Sequence, residues 1–140
     1  MSLYLDASVI VPTLVQTPPT ATVDAFLSAS REAFLVSDFA AAEVASALSR
    51  LVRTRELDRA DAEARLATFD QWTVLDTTNV VTQPADVQQA AALVRRFELK
   101  LRTPDALHVA ICARLGVSLV TRDDRMAGAA MSVGVSTISL

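Results

Sequence analysis

The chain has 140 residues, 51% of them hydrophobic, with a formal net charge of −3 and a single cysteine. Its mean hydropathy is +0.34 and its isoelectric point is about 5.0. This length predicts one domain, residues 1–140, with room for a proper core, and the acidic balance excludes a global basic signature of nucleic-acid binding. Lone Cys112 excludes an intramolecular disulfide and fits a reducing cytosol. No apolar run is long enough to span a membrane, and the N-terminus lacks a basic segment before its apolar run, so a cytoplasmic location is expected.

In chain order, Ser2-Leu3-Tyr4-Leu5 reads as a short apolar strand ending at Asp6-Ala7-Ser8. The apolar run Val9-Ile10-Val11 continues into a short helical turn, broken at Pro18-Pro19. Helical spacing of Val23, Phe26 and Leu27 predicts a helix over 20–30, and 33–36 a second strand. Ser37 and Asp38 cap a long helix reaching about Arg53, and Asp58 caps another reaching about Trp72. Thr73-Val74-Leu75 reads as a third strand. Pro84 opens a helix extending to about Lys100. Thr103 as cap and Pro104 at the first helical position open a further helix that stops at Gly116. Residues 117–121 form a strand, 125–131 a small-residue helix, and 135–140 a last strand. Short apolar strands alternating with helices predict an α/β fold. The expected form is a three-layer sandwich whose central, mainly parallel sheet of four to five strands is covered by helices.

Four acids stand where apolar elements begin or end. Asp6 and Asp123 each follow a strand, at the carboxyl edge where open parallel sheets place ligands. Glu43 is the only charge between Asp38 and Arg50 and borders the buried stripe of Ala40, Val44, Leu48 and Leu51. Asp105 sits in the first turn of a helix that is apolar from Ala106 to Ala113 except at His108. Taken singly, each has an ordinary explanation as a turn former, cap or solvated charge. Together, uncompensated carboxylates would repel and raise one another's pKa values. Divalent cations relieve this, and an oxygen-only donor set points to Mg²⁺ or Mn²⁺ rather than zinc.

The segments Tyr4-Leu5-Asp6-Ala7-Ser8, Glu43 on its alanine-rich helix, Thr103-Pro104-Asp105-Ala106-Leu107-His108-Val109-Ala110 and Leu119-Val120-Thr121-Arg122-Asp123-Asp124-Arg125-Met126 resemble the PIN-domain family over essentially the whole chain. Within it, they resemble the VapC-type toxins of toxin–antitoxin pairs. The resemblance implies an acidic pocket holding one or two Mg²⁺ or Mn²⁺, ribonuclease activity on RNA, homodimers, and inhibition by a cognate antitoxin. By position, Asp6, Asp105 and Asp123 match the metal-binding aspartates, Glu43 the helix acid that binds directly or through water, and Ser8 and Thr121 the hydroxyls that orient them. Asp124 is read as a helix cap, a water ligand or a substitute for Asp123.

On this reading the acids would hold the cation that activates water for in-line attack on a phosphodiester. Arg50, Arg53, Arg102, Arg122 and Arg125 are candidate phosphate contacts, with a solvated, acid-paired face as the competing explanation. His108, one turn from Asp105, reads as a packing or hydrogen-bonding residue, since metal hydrolysis needs no imidazole. Surplus apolar residues on the helices from Asp38 to Trp72, among them Leu48, Leu57, Leu66 and Phe69, predict a homodimer or antitoxin interface. Receiver-type and haloacid-dehalogenase-type readings fit less well: only one acid follows the first strand, and position 8 is serine. The remaining alternative is a catalytically degenerate PIN-like module that binds RNA or protein without cleavage.

Overall fold

The computed structural model describes residues 1–140. Strand β1 (Ser2–Leu5) leads into helices α1 (Ala7–Leu14) and α2 (Thr20–Ala29), strand β2 (Ala33–Ser37), and helices α3 (Asp38–Arg53) and α4 (Arg59–Asp76). Strand β3 (Thr77–Val80), helix α5 (Pro84–Val94), a 3₁₀ turn (Phe97–Leu99) and helix α6 (Thr103–Leu115) follow. Strand β4 (Ser118–Thr121), helix α7 (Asp124–Ser132) and strand β5 (Thr137–Ser139) complete the chain. The five strands form one sheet in the order β3-β2-β1-β4-β5, and every pairing is parallel. This is the α/β sandwich the alternating pattern predicts. No helix is long and apolar enough to cross a membrane.

The strand period of two sorts side chains onto the two faces. Tyr4, Leu35 and Leu119 pack with α5, α6 and α7, while Leu3, Leu5, Val36 and Val120 pack with α1 to α4. Ile111, Leu119, Ile10 and Leu48 are all at most 1% exposed, and burying each such side chain contributes about 1.5–3 kcal/mol.

The sheet reverses direction of winding between β1 and β4. The chain steps outward from β1 to β2 and β3, then returns through α5 and α6 to place β4 on the other side of β1. That switch point leaves a crevice at the carboxyl ends of β1 and β4, the place where doubly wound sheets bind ligands.

Several boundaries differ from the sequence reading. Thr73-Val74-Leu75 is the last turn of α4, and the third strand begins at Thr77. Phe69 and Trp72 pack inward at helical spacing, which continues the helix, while Val74 and Leu75 are left 80% and 68% exposed on its outer side. The expected helix to Lys100 ends at Val94, and Lys100 adopts a left-handed conformation (φ 54°) after the 3₁₀ turn. The helical turn after Asp6 is a full helix, α1, and Pro12 lies inside it. The last strand is shorter than expected, Thr137–Ser139. Arg102, not Thr103, holds the N-cap position of α6, without a side-chain cap bond.

Candidate active site

Asp6 ends β1. Its backbone N–H pairs with the Val120 carbonyl of β4 at 3.3 Å, so its side chain leaves the sheet at the switch point. The carboxylate is 3% exposed. Its Oδ1 accepts from the Ser8 hydroxyl at 2.6 Å and, as the N-cap of α1, from the Val9 amide at 3.2 Å. Its Oδ2 accepts from the Thr121 hydroxyl at 2.6 Å. Burial pushes the Asp6 pKa above its ordinary value, against the opposing hydrogen bonds from Ser8 and Thr121.

The two hydroxyls also clamp the loop after β4. Ser8 Oγ accepts from the Arg122 amide at 2.9 Å, and Thr121 Oγ1 from the Asp123 amide at 3.0 Å. Asp123 is thereby held over the crevice. Its Oδ1 caps α7 by accepting from the amides of Arg125 and Met126, both at 3.0 Å. The cap is therefore Asp123, which corrects the assignment of that role to Asp124. Asp124 occupies the first turn, where it is exposed and accepts from Ser139 Oγ at 2.6 Å. The reason is geometric: a cap must have extended backbone, and the first such residue after Thr121 that can reach the α7 amides is Asp123.

Asp105 lies in the first turn of α6, whose residues from Ala106 to Cys112 are all buried. Arg102 Nε stands 3.5 Å from its Oδ2, and the two side chains are 75% and 13% exposed. Glu43 reaches the same place from α3, and its Oε1 pairs with Nε2 of His108. His108 is 2% exposed. It lies against the rings of Tyr4 and Phe39, at centroid distances of 5.6 and 5.1 Å, and its Nδ1 is 2.7 Å from the Tyr4 hydroxyl. It is thus a hydrogen-bonding residue.

Asp6, Glu43, Asp105 and Asp123 line one cavity of about 180 Å³, together with Ser8, Arg102 and His108. A groove of about 450 Å³ adjoins it, sharing Ser8 and Glu43 and adding Val11, Pro12, Pro19 and Arg122. Residues near in space but distant in sequence have been brought to one point. Arg50, Arg53 and Arg125 are exposed and line neither cavity. Of the acids, Asp6 and Asp123 face hydroxyl and amide donors, Glu43 faces His108, and Asp105 faces Arg102. In this arrangement no three acidic, histidine or cysteine side chains are drawn together closely enough to hold an ion. The donor chemistry nevertheless fits a hard divalent cation. It consists of carboxylate oxygens beside hydroxyls, with Asp6 a buried carboxyl group whose charged form burial disfavours.

Tyr4 and Ser37 are the participants that motif reading passed over. Tyr4 is fully buried, its hydroxyl bonded to Ser37 Oγ and to His108, both at 2.7 Å. A tyrosine in an otherwise aliphatic strand is a usable signal, because a buried phenol needs a partner.

A parallel α/β sandwich with this acidic crevice agrees with the family model described as PIN domain, which matches residues 3–130. The chain belongs to the PIN-domain family. It is similar to Ribonuclease VapC46 of Mycobacterium tuberculosis, with 36% identity over 141 aligned positions that cover 99% of this chain and 97% of that protein. Among solved structures, it shares its fold with VapC20 of Mycobacterium tuberculosis, described as a sarcin-ricin loop cleaving toxin. The TM-score is 0.71 at 16% identity, covering 95% of both chains. It also shares its fold with a chain of a toxin–antitoxin complex from Klebsiella pneumoniae. Here the TM-score is 0.67 at 15% identity, covering 99% of this chain and 97% of that one.

Proposed function

We propose that this protein is the toxin of a type II toxin–antitoxin pair, a ribonuclease that hydrolyses RNA phosphodiester bonds with Mg²⁺ or Mn²⁺. The observation that carries the reading is the convergence of Asp6, Glu43, Asp105 and Asp123 on one cavity at the switch point of the sheet. Similarity to a protein named as a VapC ribonuclease supports it. Asp6, Asp105 and Asp123 would hold the cation, with Glu43 directly or through water. When bound, the cation acidifies water to supply the nucleophile and offsets negative charge on the phosphoryl group. Ser8 and Thr121 aim the Asp6 carboxylate and tie it to the loop that carries Asp123. Arg102 and Arg122, at the rims of the pocket and its groove, are placed to meet backbone phosphates as charged, bidentate donors.

The partners on this reading are RNA in the cytoplasm, a cognate antitoxin, and a second copy of the chain. The half-exposed apolar residues Leu57 and Leu66 and the exposed Val74 and Leu75 offer surface for the protein partners. Leu48 and Phe69, expected there too, are instead buried in the protein's own core.

The test is induced expression followed by sequencing of new RNA 5′ ends, with Asp6→Ala as control, and cleavage of the same RNA in vitro with and without EDTA. New ends that vanish in the variant and in EDTA are expected. Cleavage that survives either condition removes the metal mechanism. Thermal stabilisation by Mg²⁺ without any cleavage would identify a binding module instead.

A further inference from the structure

Outside the acids themselves, one buried polar chain leads into the pocket, and nothing in the metal chemistry requires it. It begins at the start of α3. The Ala40 amide donates to Ser37 Oγ at 2.9 Å, Ser37 Oγ lies 2.7 Å from the Tyr4 hydroxyl, and that hydroxyl lies 2.7 Å from His108 Nδ1. His108 Nε2 then meets Glu43 Oε1. Ser37, Tyr4 and His108 are each at most 2% exposed, so water cannot substitute for a missing partner.

Only one arrangement of protons satisfies every member. Ser37 Oγ has two partners, the Ala40 amide, which can only donate, and the Tyr4 oxygen, which is the one acceptor within reach of the Ser37 hydroxyl proton, so that proton goes to Tyr4. Tyr4 then donates to Nδ1 of His108, which must be the unprotonated nitrogen. The remaining ring proton sits on Nε2 and points at the Glu43 carboxylate, which can only accept. The reverse direction would leave the Ser37 hydroxyl proton buried without an acceptor, at the full cost of desolvating it.

We infer that Tyr4 and His108 are positioning residues. A one-way hydrogen-bond relay from the N-terminus of α3 fixes His108 as its Nε2–H tautomer and so holds the Glu43 carboxylate at the acidic pocket. This rests on the reading of the pocket as a nuclease site. A carboxylate on a long side chain, 30% exposed at the mouth of a cavity, has several rotamers open to it. The imidazole donor selects one, and the buried tyrosine selects the imidazole's tautomer. Partners of this kind behind ligating groups are typically worth about 10- to 100-fold in activity.

His108 is the only histidine in the chain, so ring ¹⁵N NMR of the metal-free protein reports the relay without assignment ambiguity. The wild type is expected to show a neutral ring with its proton on Nε2, and Tyr4→Phe a loss of that single form. A wild-type ring carrying a proton on Nδ1 overturns the relay.

The second arm measures steady-state cleavage of a mixed-sequence fluorophore–quencher RNA oligonucleotide in Mg²⁺. Tyr4→Phe, which keeps the ring and the packing, is expected to lower kcat about tenfold with KM unchanged. His108→Gln, which retains a donor toward Glu43, is expected to keep more kcat than His108→Leu. Variants that melt earlier but retain wild-type kcat reduce the relay to a structural role and overturn the inference. Asp6→Asn separates the two readings. If it abolishes cleavage while Tyr4→Phe does not affect kcat, the relay alone fails. If it leaves cleavage intact, the nuclease reading of the pocket fails, and the NMR arm, which needs no cleavage, still decides the relay.

Discussion

Replacing Asp6 by Asn separates what the fold asks of this residue from what the chemistry asks. The carboxylate is 3% exposed, and burial holds its pKa above the ordinary value. The sign follows from linkage. With the folded-state pKa above the unfolded one, Asp6 imposes no penalty below the unfolded value of about 3.9. It costs the metal-free protein stability as pH rises through the folded value. Asn has no proton to lose. Its Oδ1 can still accept from Ser8 and the Val9 amide, and the Thr121 hydroxyl can accept from its Nδ2. In EDTA at neutral pH, Asp6→Asn is therefore expected to melt no lower than the wild type.

Asp6→Ala is different, because it strands the Ser8 and Thr121 hydroxyl protons, whereas the Val9 amide keeps its bond to the backbone carbonyl of residue 6 at 3.2 Å. The two hydroxyls lie 3.4 Å apart and partly satisfy one another. At about 1–3 kcal/mol for each stranded group, the net loss is about 2–4 kcal/mol, or about 6–12 °C in Tm for a chain of this size. Mg²⁺ at ten times its Kd should add about 1.4 kcal/mol to the wild type and nothing to either variant. Thermal melts of the three proteins in EDTA and in Mg²⁺ decide the matter. If Asn melts as low as Ala in EDTA, the burial argument is wrong. If Mg²⁺ still raises the Asn variant, Asp6 is not a ligand.

Three further outcomes are expected. Thr121→Val removes the donor to Asp6 and the acceptor for the Asp123 amide together, so cleavage should fall about 10-fold or more, measured on the same RNA as the wild type. Asp86 is buried and bidentate with Arg114, at 2.7 and 2.8 Å, and that pair holds its pKa below the ordinary value. Its contribution is present above the unfolded pKa of about 3.9 and is lost as pH falls through the lower folded value. Urea melts of Asp86→Ala should show a loss of about 2–3 kcal/mol at neutral pH and a flatter acid limb than the wild type. Combining Arg102→Ala and Arg122→Ala should weaken RNA binding and lower the slope of log Kd against log salt by about 1 to 2, whereas Arg50→Ala should leave that slope unchanged.

Much of this architecture is legible in the chain itself. The alternation of short apolar strands with helices determines a covered parallel sheet, because strands buried on both faces carry few polar residues. Ser37 and Asp58 mark the starts of α3 and α4, and their side chains do cap those helices. Gly116, in the left-handed conformation, ends α6 as its position implies. Local signals failed where tertiary packing outweighed them. The β-branched character of Thr73 and Val74 points to a strand, yet Phe69 and Trp72 anchor the same turn inward as helix.

The four acids could be singled out from sequence because each interrupts an apolar element, and that local contrast survives without coordinates. Which of them share a cavity, and what each faces, was decided only by the tertiary structure. Asp6 and Thr121 are 115 residues apart in sequence and 2.6 Å apart in the fold. Asp123 and Asp124 are neighbours of identical chemistry, and only the backbone path after β4 makes the first the cap over the crevice and sends the second to Ser139. Tyr4 and His108 each stand out singly in the sequence, but the relay that joins them does not. Its members come from β1, β2, α3 and α6, and hydrogen bonding depends on distances of a few tenths of an ångström that only the packing of those elements sets.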